Sequence, residues 1–263
     1  MIRAAVTGAN GRMGSLIISN ILGSKDIQLV AAIDNVNIGK DAGEAIHAGK
    51  VGVPITAAAE LDSELSRTKP DVLIDFTVAA AVVGNVQAAS KNRVNLVVGT
   101  TGFSQEQYAQ MESAIRGSGK AAVISPNFAV GVNVFYKIVE SAGAYLRDFD
   151  AEIIEMHHNK KLDAPSGTAK KAAEVISAVR GGREFVYGRK GHSPRKDEIG
   201  IHAVRGGDIV GDHLVLFAGD GERIELKHQA HSRQAFAGGA LRAARYVVNA
   251  KPGIYGMNDV LGL

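Results

Sequence analysis

Hydrophobic positions in the first half of the chain follow two alternating rhythms. Residues 2–7, 27–34, 71–76, 95–98 and 121–125 are short, nearly continuous apolar runs. Between them, Met13, Leu16, Ile17 and Ile21 recur at helical spacing within 12–22, and Ala-rich stretches around 79–91 and 104–116 are helical in pattern. Continuous apolar strands separated by helices predict a parallel sheet covered on both faces, a doubly wound α/β domain of the Rossmann type.

After about residue 128 the rhythm changes. A long helix is expected over 130–146, a strand over 152–156 and a helix over 168–179. Three β-type runs follow at 198–204, 208–217 and 223–229, with Gly-Gly, Gly-Asp and Asp-Gly turn signals between them. Consecutive strands on short connections predict an antiparallel or mixed sheet, hence a second, α+β domain. The pattern over 233–249 predicts a final helix.

Composition narrows the function. The 263 residues include no cysteine, which excludes disulfides and thiolate metal sites, and the net charge is a mild +3. Lys and Arg are scattered and aromatics make up 5% of the chain, so the basic stripe with interleaved rings that nucleic acid binding uses is missing. A small anionic ligand fits better. The first residues break into a glycine turn before a signal-peptide core develops, and no apolar stretch is long enough to span a bilayer. A soluble, cytoplasmic protein is expected.

The first strand runs into Gly8-Ala9-Asn10-Gly11-Arg12-Met13-Gly14 as a helix begins. Glycines there let the backbone turn sharply and approach a pyrophosphate, whose charge meets the free N–H groups of the helix start. The strict dinucleotide fingerprint has glycine where this chain has Asn10, a residue tolerant of left-handed geometry. Asp34 closes the second strand, where a carboxylate would bond the adenosine ribose hydroxyls. Gly99-Thr100-Thr101-Gly102 follows another strand, placing it at the carboxyl edge where open sheets bind ligands.

The stretch from Glu155 to Thr168 carries the chemistry. His157 and His158 leave a strand, Lys161 follows, and Ser166-Gly167-Thr168 starts a helix behind Pro165. Such a helix start offers N–H groups and two hydroxyls to an anion such as a carboxylate. An imidazole suits proton transfer near neutrality, and a lysine adds a point charge and a proton source. Adjacent strand residues point to opposite faces, and no HExxH or cysteine pair is present, so no metal is expected.

The string His157-His158-x-x-Lys161-x-Asp163-Ala164-Pro165-Ser166-Gly167-Thr168 resembles the signature of the 4-hydroxy-tetrahydrodipicolinate reductase family. Gly8-x-x-Gly11-Arg12-Met13-Gly14, Asp75-Phe76-Thr77, Val98-Gly99-Thr100-Thr101-Gly102, Asn127-Phe128 with Gly131-Val132-Asn133, Arg205 to Gly211, and Asn258-Asp259-Val260-Leu261 are similar too, in the same order from end to end. The resemblance implies an oxidoreductase of diaminopimelate and lysine synthesis that uses NADH, NADPH or both on a cyclic dicarboxylate, without a metal. It implies a dinucleotide domain of residues 1–127 completed by 237–263, and an inserted domain, 128–236, for substrate binding and tetramerisation. Gly8, Ala9, Asn10, Gly11, Arg12, Met13, Asp34, Gly99, Thr100, Thr101, Ser125, Pro126, Asn127 and Phe128 would line the cofactor. His157 and Lys161 would be the catalytic pair, with His158, Ser166, Gly167 and Thr168 on the substrate. A catalytically inactive nucleotide sensor of the same fold is the alternative, against which the retained His157 and Lys161 speak.

The chain departs from the family at two places. Asn35 follows Asp34 where NADPH-using members often carry arginine, and Ala129 stands where serine is common.

Overall fold

The computed structural model describes residues 1–263, and the chain divides into two compact units, 1–130 with 234–262 and 131–233. In order, the first half holds β1 (Ile2–Thr7), α1 (Gly14–Leu22), β2 (Ile27–Ile33), α2 (Ala42–Ala45), β3 (Ile55–Thr56), α3 (Leu61–Thr68), β4 (Val72–Asp75), α4 (Ala79–Lys91), β5 (Asn95–Val98), α5 (Gln105–Ser118) and β6 (Ala121–Ile124). The middle holds α6 (Val130–Tyr145), β7 (Asp150–His157), α7 (Gly167–Val179), β8 (Glu184–Tyr187), β9 (Glu198–Arg205), β10 (Asp212–Gly219) and β11 (Glu222–Gln229). The chain ends on α8 (Gln234–Val247), β12 (Gly253–Tyr255) and α9 (Met257–Leu261).

The first unit is a seven-stranded sheet in the order β12-β6-β5-β4-β1-β2-β3, every pair parallel. Successive strand residues point to opposite faces, and both faces are covered. Ala4, Val6, Ile74 and Val97 pack against α1 and α8, where Ile17, Ile21, Ala240 and Leu241 are buried. Ala5, Leu73, Leu96 and Val98 pack on the other side against α3, α4 and α5 through Leu65, Val86, Met111 and Ile115. The continuous apolar runs are therefore what a two-sided sheet requires. The order reverses between β1 and β4, and that switch point opens a crevice at the strands' carboxyl ends.

The second unit is a five-stranded mixed sheet, β11-β10-β7-β9-β8. Ala151, Ile153, Ile201, Val215 and Phe217 on one face pack against α6 and α7 through Phe135, Val139, Ala172 and Ile176. Ile154, Met156, Leu214 and Leu216 on the other face are partly covered.

Several elements differ from the sequence pattern. Helix α1 begins at Gly14, because residues 11–13 belong to the glycine turn. Strands β3, β8 and β12 and helices α2 and α3 are too short or too polar to show a period, so 233–249 does not hold the last element. Strand β10 starts at Asp212: Gly207 takes φ +50°, residues 207–208 form a turn, and 209–211 are irregular. That turn does not close a hairpin: β7 lies between β9 and β10, and the Asp220-Gly221 turn joins the consecutive antiparallel pair β10–β11. The 35–50 region is organised by one carboxylate, with Asp41 accepting N–H groups of Gly43, Glu44, Val51 and Gly52 at 2.7–3.2 Å.

Candidate functional site

On the first unit, the turn after β1 is built by close backbone approach. Gly8 has φ +68°, and a Cβ on Gly14 would lie 2.0 Å from the Gly8 carbonyl oxygen. Gly99 meets the Phe76 ring so closely that a Cβ would fall 2.2 Å from it. The Phe76 ring packs on Phe128 at 5.3 Å between centroids. These glycines let backbone and the Phe76 ring pack where a Cβ would clash, which fixes the shape of the turns after β1 and β5. A cleft of about 470 Å³ is lined by Arg12, Met13, Phe76, Thr77, Gly99 and Thr100. A second, of about 570 Å³, shares Thr100 and Thr101 and extends over Ser125, Pro126 and Tyr255.

Asp34 is half-buried one residue past β2. Its carboxylate accepts the backbone N–H of Asn10 at 2.8 Å, of Asn35 at 2.7 Å and of Val36 at 3.1 Å. A carboxylate has about four acceptor positions, so roughly one remains for a ribose hydroxyl. Ser125 is buried, with its Oγ donating to the Asn127 carbonyl, and Asn127 Oδ1 accepts the N–H of Ala129. The apolar Ala129 side chain sits in the core.

Asp75, which the resemblance quoted without a role, is a centre of this half. Fully buried, it accepts hydroxyls from Thr7 (2.9 Å), Thr77 (2.9 Å) and Thr100 (2.6 Å), the Thr77 N–H (3.1 Å) and the Asn85 amide (2.6 Å). One carboxylate thus ties together the ends of β1, β4 and β5.

On the second unit, β7 alternates Ala151, Ile153, Glu155 and His157 onto the inner face. His157 Nδ1 is hydrogen-bonded to Glu155 Oε2 at 2.6 Å, and the Arg205 guanidinium grips the same carboxylate at 2.9 and 2.8 Å. Burial opposes the charge on Glu155, yet Arg205 and His157 hold its carboxyl below the ordinary value. Burial is also the largest influence on His157 and lowers it; Glu155 pulls the other way, while Lys161 and Arg205 lower it further. Lys161 is one-fifth exposed and pairs with Asp163 at 2.8 Å. His158 is the first residue past β7, its N–H bonded to the Ile209 carbonyl and its Nδ1 buried without a protein partner.

Ser166 caps α7. Its N–H donates to Glu155 at 2.9 Å, and its Oγ accepts the Ala169 N–H at 3.2 Å and bonds His213 Nε2 at 2.9 Å. The expectation of two hydroxyls offered to an anion is thus altered: Ser166 is 2% exposed and its hydroxyl turns inward to cap and histidine. The Thr168 hydroxyl bonds Tyr136, whose phenol burial pushes up to about 12. What the helix start presents is the first-turn backbone at Gly167 and Thr168. His213, buried 5.2 Å from the His157 ring, is pushed down to about 4, burial being the main cause and His157 the next.

Glu155, Arg205, His213 and Asp75 were not singled out from the sequence. Glu155 had a signal, since residues two apart on a strand share a face. Arg205 stood at the head of the family-like segment 205–211 without a role, and His213 had no signal, because β9 and β10 meet β7 through tertiary pairing.

Known proteins agree with this architecture. Residues 2–128 match the model for the N-terminus of dihydrodipicolinate reductase, and residues 131–261 match that for its C-terminus. The chain belongs to the dihydrodipicolinate reductase family. 4-Hydroxy-tetrahydrodipicolinate reductases of Methanosarcina mazei and Methanococcoides burtonii are 61% and 60% identical, each over 100% of both chains. The solved dipicolinate-bound dihydrodipicolinate reductase of Paenisporosarcina sp. TG-14 is 34% identical, with a TM-score of 0.82 over 98% of this chain and 99% of that one. An amine dehydrogenase of Mycobacterium smegmatis, 15% identical, shares the fold at a TM-score of 0.65, over 98% of this chain and 95% of that one. This family member is an oxidoreductase, and its first unit is the nucleotide-binding fold of that family. No helix is long and apolar enough to cross a membrane, and no cluster of three or more His, Cys, Asp or Glu side chains could hold a metal.

Proposed function

We propose that this chain reduces 4-hydroxy-tetrahydrodipicolinate to tetrahydrodipicolinate with NADH or NADPH, releasing water, as a cytoplasmic enzyme of diaminopimelate and lysine synthesis. The observation that carries the reading is the meeting of His157, a buried Glu155 and the capped start of α7 within one unit, in a chain of this family.

The glycine turn at Gly8, the close packing of Gly14 that holds it, and the cleft beside Arg12 fit a dinucleotide, because a sharp turn leading into the start of α1 is the arrangement that receives a pyrophosphate. Gly8 to Met13, Asp34, Gly99 to Thr101 and Ser125 to Phe128 would hold it. A reduced nicotinamide supplies the hydride when bound. Gly167 and Thr168 receive one substrate carboxylate on backbone N–H groups, the helix dipole favouring its charge. Ser166 holds that turn in place, and His158 and Lys161 complete the polar wall. His157 at Nε2 gives a proton to the C4 hydroxyl, which leaves as water, and Lys161 stabilises the dicarboxylate during transfer. No metal takes part in this scheme.

The half-covered sheet face bearing Ile154, Met156, Leu214 and Leu216 supports a homotetramer built through the second unit.

Oxidation of NADH and NADPH, followed by absorbance with the condensation product of pyruvate and aspartate semialdehyde, tests the reading. His157→Gln should lower kcat by about 10²–10⁴-fold with cofactor affinity kept. Near-normal turnover in that variant removes His157 from the mechanism.

A further inference from the structure

Glu155 has no solvent exposure, and its two oxygens accept four donors. Oε2 takes His157 Nδ1 at 2.6 Å and Arg205 Nη1 at 2.9 Å; Oε1 takes Arg205 Nη2 at 2.8 Å and the Ser166 N–H at 2.9 Å. Four is about the full capacity of a carboxylate, and an ionised one accepts and never donates. His157 Nδ1 must therefore carry a hydrogen; otherwise two lone pairs would face each other at 2.6 Å. The nitrogen left to gain and lose a proton is Nε2.

Gly211 stands beside that nitrogen. A Cβ built on it would lie 2.9 Å from Nε2 and 3.3 Å from Cδ2 of His157. Its backbone is outside the left-handed region, so space and not conformation calls for glycine here. A methyl at that place would push against a ring that Glu155 prevents from retreating. The other titratable groups around the ring are Arg205 on β9, Lys161 in the loop after β7 and His213 on β10.

We propose that Glu155 and Gly211 are positioning residues for the proton donor: Glu155 fixes His157 as the Nδ1–H tautomer and ties it to the start of α7, and Gly211 leaves room at Nε2. The proposal rests on the reading of His157 as the donor. In the imidazolium, the Nε2–H bond breaks as an O–H bond forms on the departing C4 hydroxyl. The ring is left neutral as Nδ1–H, with its hydrogen bond to Glu155 unbroken, and takes its next proton from solvent. Because the carboxylate also holds Ser166, imidazole and anion cradle share one anchor.

Nitrogen-15 NMR of the full chain labelled at histidine reads the tautomer directly. The neutral His157 ring should be Nδ1–H in the wild-type protein and shift to Nε2–H in Glu155→Gln, whose amide can donate to Nδ1. The variant's kcat should fall by about 10²–10⁴-fold, the cost of a wrong tautomer, with little change in KM for the dinucleotide. Gly211→Ala should keep the Nδ1–H tautomer while also losing kcat. An Nε2–H ring in the wild type, or the same tautomer with and without Glu155, overturns the proposal, and the first of these needs no variant that folds. An active His157→Gln would instead overturn the donor role and leave the tautomer assignment standing.

Discussion

The N–H of Asn10 donates to Asp34 Oδ2 at 2.8 Å, so the acid after β2 holds the glycine turn after β1 in place. Asp34 thereby braces the glycine turn, and in the proposed reading it would also wall the ribose site. Its negative charge disfavours a 2′-phosphate, and Asn35 beside it brings no cation; its Oδ1 accepts the Ala58 N–H at 3.3 Å. NADH should be used at least as well as NADPH. Asn35→Arg should move kcat/KM toward NADPH by about tenfold for each 1.4 kcal/mol gained, less the lost contact to Ala58. A wild-type preference for NADPH above about a hundredfold, roughly 2.7 kcal/mol, would sink this reading.

Asp75 should matter for the cofactor at a distance. Asp75→Asn places an amide donor among hydroxyls and amides that all donate to the native carboxylate, and a buried donor without an acceptor costs about 1–3 kcal/mol. Thermal unfolding should show that loss. Dinucleotide KM should rise more than dicarboxylate KM, because Thr7, Thr77 and Thr100 lie at the ends of β1, β4 and β5. Equal shifts in the two constants would mean Asp75 supports the fold without shaping the cofactor loops.

Thr168→Val should raise KM for the dicarboxylate and weaken competitive inhibition by pyridine-2,6-dicarboxylate. Its hydroxyl already bonds Tyr136, so Tyr136→Phe is the control for the part of the effect that runs through that contact. If both Thr168→Val constants match wild type, the carboxylate binds elsewhere.

His213 links stability to pH. Its folded value, about 4, lies below the ordinary 6.5 of a histidine. The unfolded chain therefore binds more protons between those values, and stability rises with pH across that window. The contribution is complete above about pH 6.5 and lost on descent toward pH 4, by up to about 3 kcal/mol. Denaturant midpoints measured at several pH values should show that slope, and His213→Asn should flatten it. An unchanged slope in the variant would assign the acid sensitivity to other groups.

The sequence by itself determined the layered α/β unit, since continuous apolar strands and helical periods are local patterns set by burial on two faces. It also marked the glycine turn, Asp34, and the His157 to Thr168 string, where residue types and spacing carry chemistry. Only the tertiary structure decided how the second sheet is wired, because strand order depends on pairing between distant segments. Placing β7 between β9 and β10 is what brings Arg205 and His213 to Glu155, His157 and Ser166. It turned the Ser166 hydroxyl inward, since His213 arrives from β10 to claim it. It gathered Thr7, Thr77 and Thr100 onto Asp75 as well, a convergence of three strand ends that no spacing along the chain records. Local pattern sets which groups are available; pairing across the fold sets which of them share a carboxylate.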